Sequence, residues 1–216
     1  MSTTYNLQPT TSSQHYTIIF TGRSGCGKGT QAKLLIENIK SRGCPEDAIL
    51  YVETGNRFRE FIKGDNMASN RSREIMVSGE RQPDFLAVTM WANVFIEELK
   101  PNHEHLVLDG TPRALNEAKT LDQALKFFKR ENPIVINVKV SREKSIEHMH
   151  ERAKKEGRAD DLRPGDIEKR LAWFERDVVP AIEYFRTNSD YQFIEVDGER
   201  SIEEVHSEIL IALGIK

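Results

Sequence analysis

Cysteine is scarce in this sequence: Cys26 and Cys44 are the only two among 216 residues. Two thiols in a chain of this length make no disulfide framework, and the expected setting is a reducing compartment, the cytoplasm. Also missing is an apolar run long enough to cross a bilayer. The first residues, MSTTYNLQPTTSSQ, lack the basic start and apolar middle of a secretory signal and the arginines of a transit peptide. Residues 1–14 are therefore expected to be a flexible tail. Charge of one sign does not dominate either, since 31 Lys and Arg stand against 34 Asp and Glu, a net charge of -3. Bulk attraction to nucleic acid or to an acidic membrane is not expected, and any polyanion must be bound by local clusters of arginine and lysine. No segment repeats internally.

Hydrophobic residues make up 38% and charged residues 30%, enough for one core under a charged surface. Residues 15–216 are expected to form a single domain. Short β-branched runs recur at YTIIFT (16–21), ILYVE (49–53), HLVLD (105–109), IVINVKV (134–140) and YQFIEV (191–196). Most are nearly continuous in apolar character, as strands covered on both faces of a parallel sheet are. Between them, Ala32, Leu35, Ile36 and Ile39 share one helical face. So do Leu121, Leu125 and Phe128, then Ile167, Leu171, Phe174 and Val178, and finally Ile202, Val205 and Ile209. This alternation predicts an α/β fold, a five-stranded parallel sheet flanked by helices. Residues 54–98 carry helical signals without a strand and read as a helical insert. Residues 153–165, AKKEGRADDLRPG, contain Gly157, Pro164 and Gly165 and read as a mobile loop between two helices.

Within GRSGCGKG (22–29), Gly22, Gly27 and Lys28 satisfy G-x-x-x-x-G-K, between a strand and a helix. Glycines let successive backbone N–H groups converge on one anion, and the helix adds its positive N-terminal end. Lys28 can then bridge the outer phosphates of a nucleotide. The residue after the lysine is Gly29, with Thr30 behind it.

From here the chain resembles a family. GKGTQA (27–32), TGNRFR (54–59), DGTPR (109–113), GRADD (157–161) with Arg170 after it, and VDG (196–198) are similar, in the same order, to landmarks of adenylate kinases and other nucleoside monophosphate kinases. The resemblance covers about residues 16–216. It implies a P-loop NTPase fold with an acceptor-binding insert over 54–98 and a short lid over 153–165. The implied activity is reversible transfer of the γ-phosphoryl group of Mg·ATP to a nucleoside monophosphate, with AMP the first choice. Gly25, Cys26, Gly27, Lys28, Gly29 and Thr30 would bind ATP. Thr54, Gly55, Arg59, Gly110, Arg113 and Glu117 would bind the acceptor. Lys28, Arg113, Arg152, Arg158 and Arg170 would neutralise the transferring group, and Asp160 and Asp161 would organise the lid. Asp109 and Thr30 would hold Mg²⁺, partly through water.

The chemistry agrees with those residue types. A phosphate monoester has its second pKa at about 6 and is mostly dianionic at neutral pH, so no general base is needed. Bringing two polyanions together requires cations instead. Only five residues separate Arg152 from Arg158, and no cysteine lies near, so the lid is expected to be the short form without zinc. Small nucleotides are the expected partners, and a monomer is the default assembly.

Four residues depart from the family pattern. His148 stands where many relatives have an arginine, and its charge would depend on pH. Glu117 replaces a glutamine that reads the acceptor base; either its carboxylate, which only accepts, faces the base and suits guanine better than adenine, or it turns away into solvent. Thr111 replaces an aromatic residue, and Asn56 an acidic one. Three other readings stay open; the departures bear on the acceptor base and on the sensor, while the arginine set argues against a hydroxyl acceptor. One is a kinase for GMP, UMP or CMP, another a P-loop kinase for a hydroxyl compound, and the third a nucleotide sensor with degraded catalysis. Cys26 has two readings, a reactive thiol activated by the helix N-terminus and Lys28, or a small apolar group facing the core.

Overall fold

The computed structural model describes residues 15–101, 103, 105–157 and 164–215. The expected tail, and Arg158, Asp160 and Asp161 of the expected lid, lie outside the described residues.

Five strands form one sheet: β1 (Thr17–Thr21), β2 (Ile49–Glu53), β3 (His105–Asp109), β4 (Ile134–Lys139) and β5 (Gln192–Asp197). Their order is β2-β3-β1-β4-β5, and every neighbouring pair is parallel. All residues of β1 and β3 are buried, which explains their continuous apolar runs. Alternate side chains go to opposite faces, as the period of two in a strand requires. Ile18 and Phe20 pack with α1 (Lys28–Ser41) and the C-terminal helix; Ile19 packs on the other side with Trp91, Leu121 and Phe185. The apolar run of β1 is thus two half-runs feeding two cores.

The helices follow in chain order. Residues 54–97 contain α2 (Thr54–Phe61), α3 (Met67–Val77) and α4 (Asp84–Glu97). Next come α5 (Leu115–Phe127), α6 (Arg142–Glu156), α7 (Pro164–Trp173), α8 (Val179–Thr187) and α9 (Ile202–Ala212). Ser141 caps α6 by accepting from the Lys144 N–H, and Ser201 with Glu204 makes a capping box on α9. The expected face of α1 is buried, and so are Leu121 and Leu125 of α5, while Phe128 stands just past the end of that helix and is half-buried.

Three details differ from the sequence pattern. The loop expected over 153–165 is narrower among the described residues, because α6 continues to Glu156 and α7 begins at Pro164. The 167–178 face does not lie on one uniform α-helix, because Phe174–Val178 form a π turn between α7 and α8. Pro180 has no N–H with which to close the usual bond to the carbonyl four residues back. Just ahead of it the ladder widens, and the Val179 N–H reaches the Phe174 carbonyl. Ile202 is 52% exposed, so the core face of α9 is carried by Val205 and Ile209.

Asp122 ties α5 to α8 and to the chain before β5. It accepts from the hydroxyls of Tyr191 (2.9 Å) and Tyr184 (3.1 Å) and pairs with Lys126 (3.0 Å). Replacing it strands a buried phenol. Asp122→Ala is expected to lower stability by about 2 kcal/mol in urea titrations monitored by tryptophan fluorescence; an unchanged midpoint would remove this tie from the fold.

Candidate active site

Because the strands are parallel, their carboxyl ends share one edge of the sheet. β1 lies at the centre, with β3 and β2 on one side and β4 and β5 on the other. Outside that edge is the crevice in which open α/β sheets gather ligands. Here it is a cleft of about 560 Å³. Of the residues singled out above, Gly25 to Thr30, Thr54, Gly55, Arg59, Asp109, Gly110, Arg113, Glu117, His148, Arg152 and Arg170 all line it.

The phosphate loop joins β1 to α1. Gly25 has φ +79, and a Cβ there would lie 2.6 Å from the Ser145 carbonyl oxygen of α6. Only glycine satisfies both the left-handed backbone and the close packing. Lys28 Nζ donates to the carbonyls of Arg23 (3.1 Å) and Gly22 (3.4 Å). Cys26 is 3% exposed and belongs to the core beneath the loop, so of its two readings the structure favours the small apolar group.

Gly29 occupies the position where a P-loop usually carries Ser or Thr. A Cβ there would stand 2.9 Å from Asp109 Oδ2. Asp109 is buried at the end of β3, and its Oδ2 also accepts from the Tyr51 hydroxyl at 3.2 Å. Burial and this carboxylate push the Tyr51 phenol far above its ordinary pKa, so it stays a donor.

On the other side of the cleft, Arg59 and Arg113 converge. Arg59 Nη1 and Arg113 Nη2 lie 3.5 and 3.8 Å from the point where a Cβ on Gly55 would stand. Arg113 Nε donates to the Gly110 carbonyl at 2.8 Å, and its guanidinium lies 5.8 Å from the centre of the Trp173 ring. Burial, then the neighbouring Arg170, and less strongly Arg152, push the Arg113 pKa down, as expected where cations crowd. Met149 and Ala153 hold α6 on the core while His148 and Arg152 face the cleft. His148 Nδ1 lies 2.8 Å from the Gly25 carbonyl oxygen, so Nδ1 carries the proton. His148 therefore braces the loop as well as facing the cleft.

Glu117 was expected to face the acceptor base or solvent. Its carboxylate is 1% exposed and turned to three internal donors. Oε1 accepts from Trp91 Nε1 (3.2 Å) and from the Thr111 hydroxyl, and Oε2 accepts from the Arg113 N–H at 2.6 Å. Burial pushes its pKa up, while the Thr111 and Arg113 bonds oppose the shift. The carboxylate braces the turn that carries Arg113. Asn56 is exposed and does not line the cleft.

Sequence reasoning passed over several cleft residues. Glu53 closes β2 immediately before the T-G motif and bonds Arg59. Arg81 is held by Asp84 (2.6 Å) and by Asp177 of the π turn (3.1 Å). Ile202 and Arg200 line the side where VDG lies. Glu53, placed at a strand end beside a motif, could have been found; the others depend on tertiary packing.

A glycine-rich loop between the first strand and first helix of a parallel sheet, with a lysine opening that helix, defines a P-loop NTPase. The match of residues 20–190 to the adenylate kinase family model narrows the class. The chain belongs to the adenylate kinase family and is a phosphotransferase. It is 29% identical over 193 residues to an adenylate kinase of Leptospira biflexa, covering 89% of this chain and 97% of that one. Against an adenylate kinase of Flavobacterium johnsoniae it is 30% identical over 190 residues, covering 87% and 93%. An adenylate kinase of Lachnospira eligens is 30% identical over 223 aligned positions, covering 91% and 99%.

Two expectations follow. Gly29→Ser should push Asp109 aside and lower kcat by about a hundredfold, the scale of a misplacement near 1 Å; steady-state turnover at the wild-type rate would show that the approach is not needed. Glu117→Gln should reduce turnover of AMP and GMP together and leave their ratio within about twofold, because the amide disturbs the Arg113 turn and not a base contact. A tenfold change in that ratio would place Glu117 against the base after all.

Proposed function

We propose that this protein is a nucleoside monophosphate kinase that transfers the γ-phosphoryl group of Mg·ATP to AMP. The observation that carries the reading is the convergence of Arg59 and Arg113 over Gly55, in the same cleft as the phosphate loop. Two guanidiniums aimed at one point suit a dianionic phosphate and leave a neutral hydroxyl poorly served.

On this reading the loop from Gly25 to Thr30 cradles the ATP phosphates with its N–H groups. Lys28 leaves the carbonyls of Arg23 and Gly22 for the outer phosphates. Arg59 and Arg113 hold the acceptor phosphate, with Thr54, Gly55 and Gly110 beside it. An acceptor oxygen, already deprotonated, attacks the γ-phosphorus; the bond to the β–γ bridging oxygen breaks, and ADP leaves. Arg152 and Arg170, with Arg158 from the lid, neutralise the equatorial oxygens in flight.

Asp109 and Thr30 present hard oxygens beside the phosphate loop, a donor set that fits Mg²⁺ arriving on ATP. Bound there, Mg²⁺ supplies charge neutralisation on the phosphates. Residues 54–98 form the acceptor-binding insert of the single 15–216 domain, and 153–165 the short zinc-free lid, organised by Asp160 and Asp161. AMP is preferred on family grounds, and a cytoplasmic monomer is the expected form.

The test is a panel of AMP, GMP, UMP and CMP with Mg·ATP, scored for diphosphate by chromatography. AMP should be converted fastest, and Arg170→Ala should lower kcat by roughly 10²–10³-fold with a smaller effect on ATP affinity. Binding of ATP with no diphosphate from any of the four would sink the kinase reading.

A further inference from the structure

Glu53 ends β2, in register with Asp109 of β3, and occupies the N-cap of α2. An acceptor there could bond the free N–H groups of the helix. The Glu53 side chain makes no such bond. Its Oε1 instead accepts from Arg59 Nη2 at 2.9 Å, with both side chains about a quarter to a third exposed. At that exposure the pair contributes little to stability. Its geometry is more informative than its energy.

A guanidinium is a rigid planar fork, so fixing one nitrogen directs the other. Glu53 takes Nη2, and Nη1 is the nitrogen beside Gly55, 3.5 Å from the point where a Cβ there would stand, with Arg113 Nη2 3.8 Å from the same point. Two cations aimed at one point repel, and without an anion they favour splaying apart. The Glu53 carboxylate opposes this by its bond to Nη2, and no bond joins it to Nη1.

We propose that Glu53 is a positioning residue for the acceptor phosphate: by holding Nη2 it aims Nη1 of Arg59 and so sets acceptor affinity. This rests on the reading of Arg59 as an acceptor ligand.

The experiment compares Glu53→Ala, Glu53→Gln, Arg59→Ala and the Glu53→Ala/Arg59→Ala double variant, with AMP and Mg·ATP. Glu53→Ala should raise the KM for AMP about tenfold while the KM for ATP stays within about twofold. Glu53→Gln keeps an acceptor oxygen for Nη2 and should recover most of the AMP affinity. In the Arg59→Ala background, Glu53→Ala should have no further effect on the KM for AMP. An unchanged or lower KM for AMP in Glu53→Ala overturns the proposal, a lower value meaning that the carboxylate competes with the phosphate. Glutamine no better than alanine, or an undiminished effect in the Arg59→Ala background, overturns it as well. If Arg59→Ala itself leaves the KM for AMP at the wild-type value, the assignment of Arg59 fails first, and the proposal falls with it.

Discussion

Five strands running the same way end at the same edge of the sheet, and the site depends on this directional constraint. β1 delivers the phosphate loop, β2 delivers Glu53 and the start of α2, and β3 delivers Asp109 and the turn to Arg113. The register sets Glu53 beside Asp109 across neighbouring strands. Groups more than eighty residues apart in sequence meet because each lies at or just beyond a strand end. No local preference of the chain would bring Lys28 and Arg113 into one cleft. The hydrophobic faces of β1 and β3, buried on both sides, hold the edge rigid enough to keep those groups in place.

The second constraint is electrostatic. Six described arginines, Arg59, Arg81, Arg113, Arg152, Arg170 and Arg200, share the cleft with Lys28. Crowded cations are costly without ligand, and Arg113 registers this in a pKa pushed down by burial and by Arg170. The chain offsets the cost with carboxylates set among the cations. Glu53 holds Arg59, Asp109 lies beside the loop, and Glu117 lies behind the Arg113 backbone. A net charge of -3 for the whole chain therefore conceals a locally strong pattern. Bulk charge argued against nucleic acid as a partner, but it could not reveal this pattern.

Much of the fold was legible. The apolar runs at 49–53 and 105–109 coincide with β2 and β3; β1 and β4 are each one residue shorter at one end, and β5 is displaced by one residue at both ends. Their legibility comes from burial on both faces, which leaves little choice of residue type. The phosphate loop was legible because its glycines answer a local demand. The sequence was silent where a side chain had a choice of direction. Cys26 could have faced either way, and its burial in the core beneath the loop favours the inward direction. The π turn was hidden because its apolar spacing resembles an ordinary helix, and the missing N–H of Pro180 was the available clue. Ile202 keeps the helical period yet faces the cleft, because α9 begins at the mouth of the site.

Glu117 shows why departures from a family pattern have to be read in groups. Taken singly, Thr111 looked like a lost aromatic surface and Glu117 like a changed base reader. In the fold they are partners: the Thr111 hydroxyl and the Trp91 indole both donate to Glu117 Oε1, and Oε2 receives the Arg113 N–H. A buried hydroxyl and a buried indole N–H each need an acceptor, and one carboxylate serves both. An amide in that place would turn its NH₂ toward one of three donors. Thr111 and Glu117 therefore form one internal hydrogen-bonded unit, joined directly to each other and completed by Trp91. Its visible effect is to fix the turn that carries Arg113.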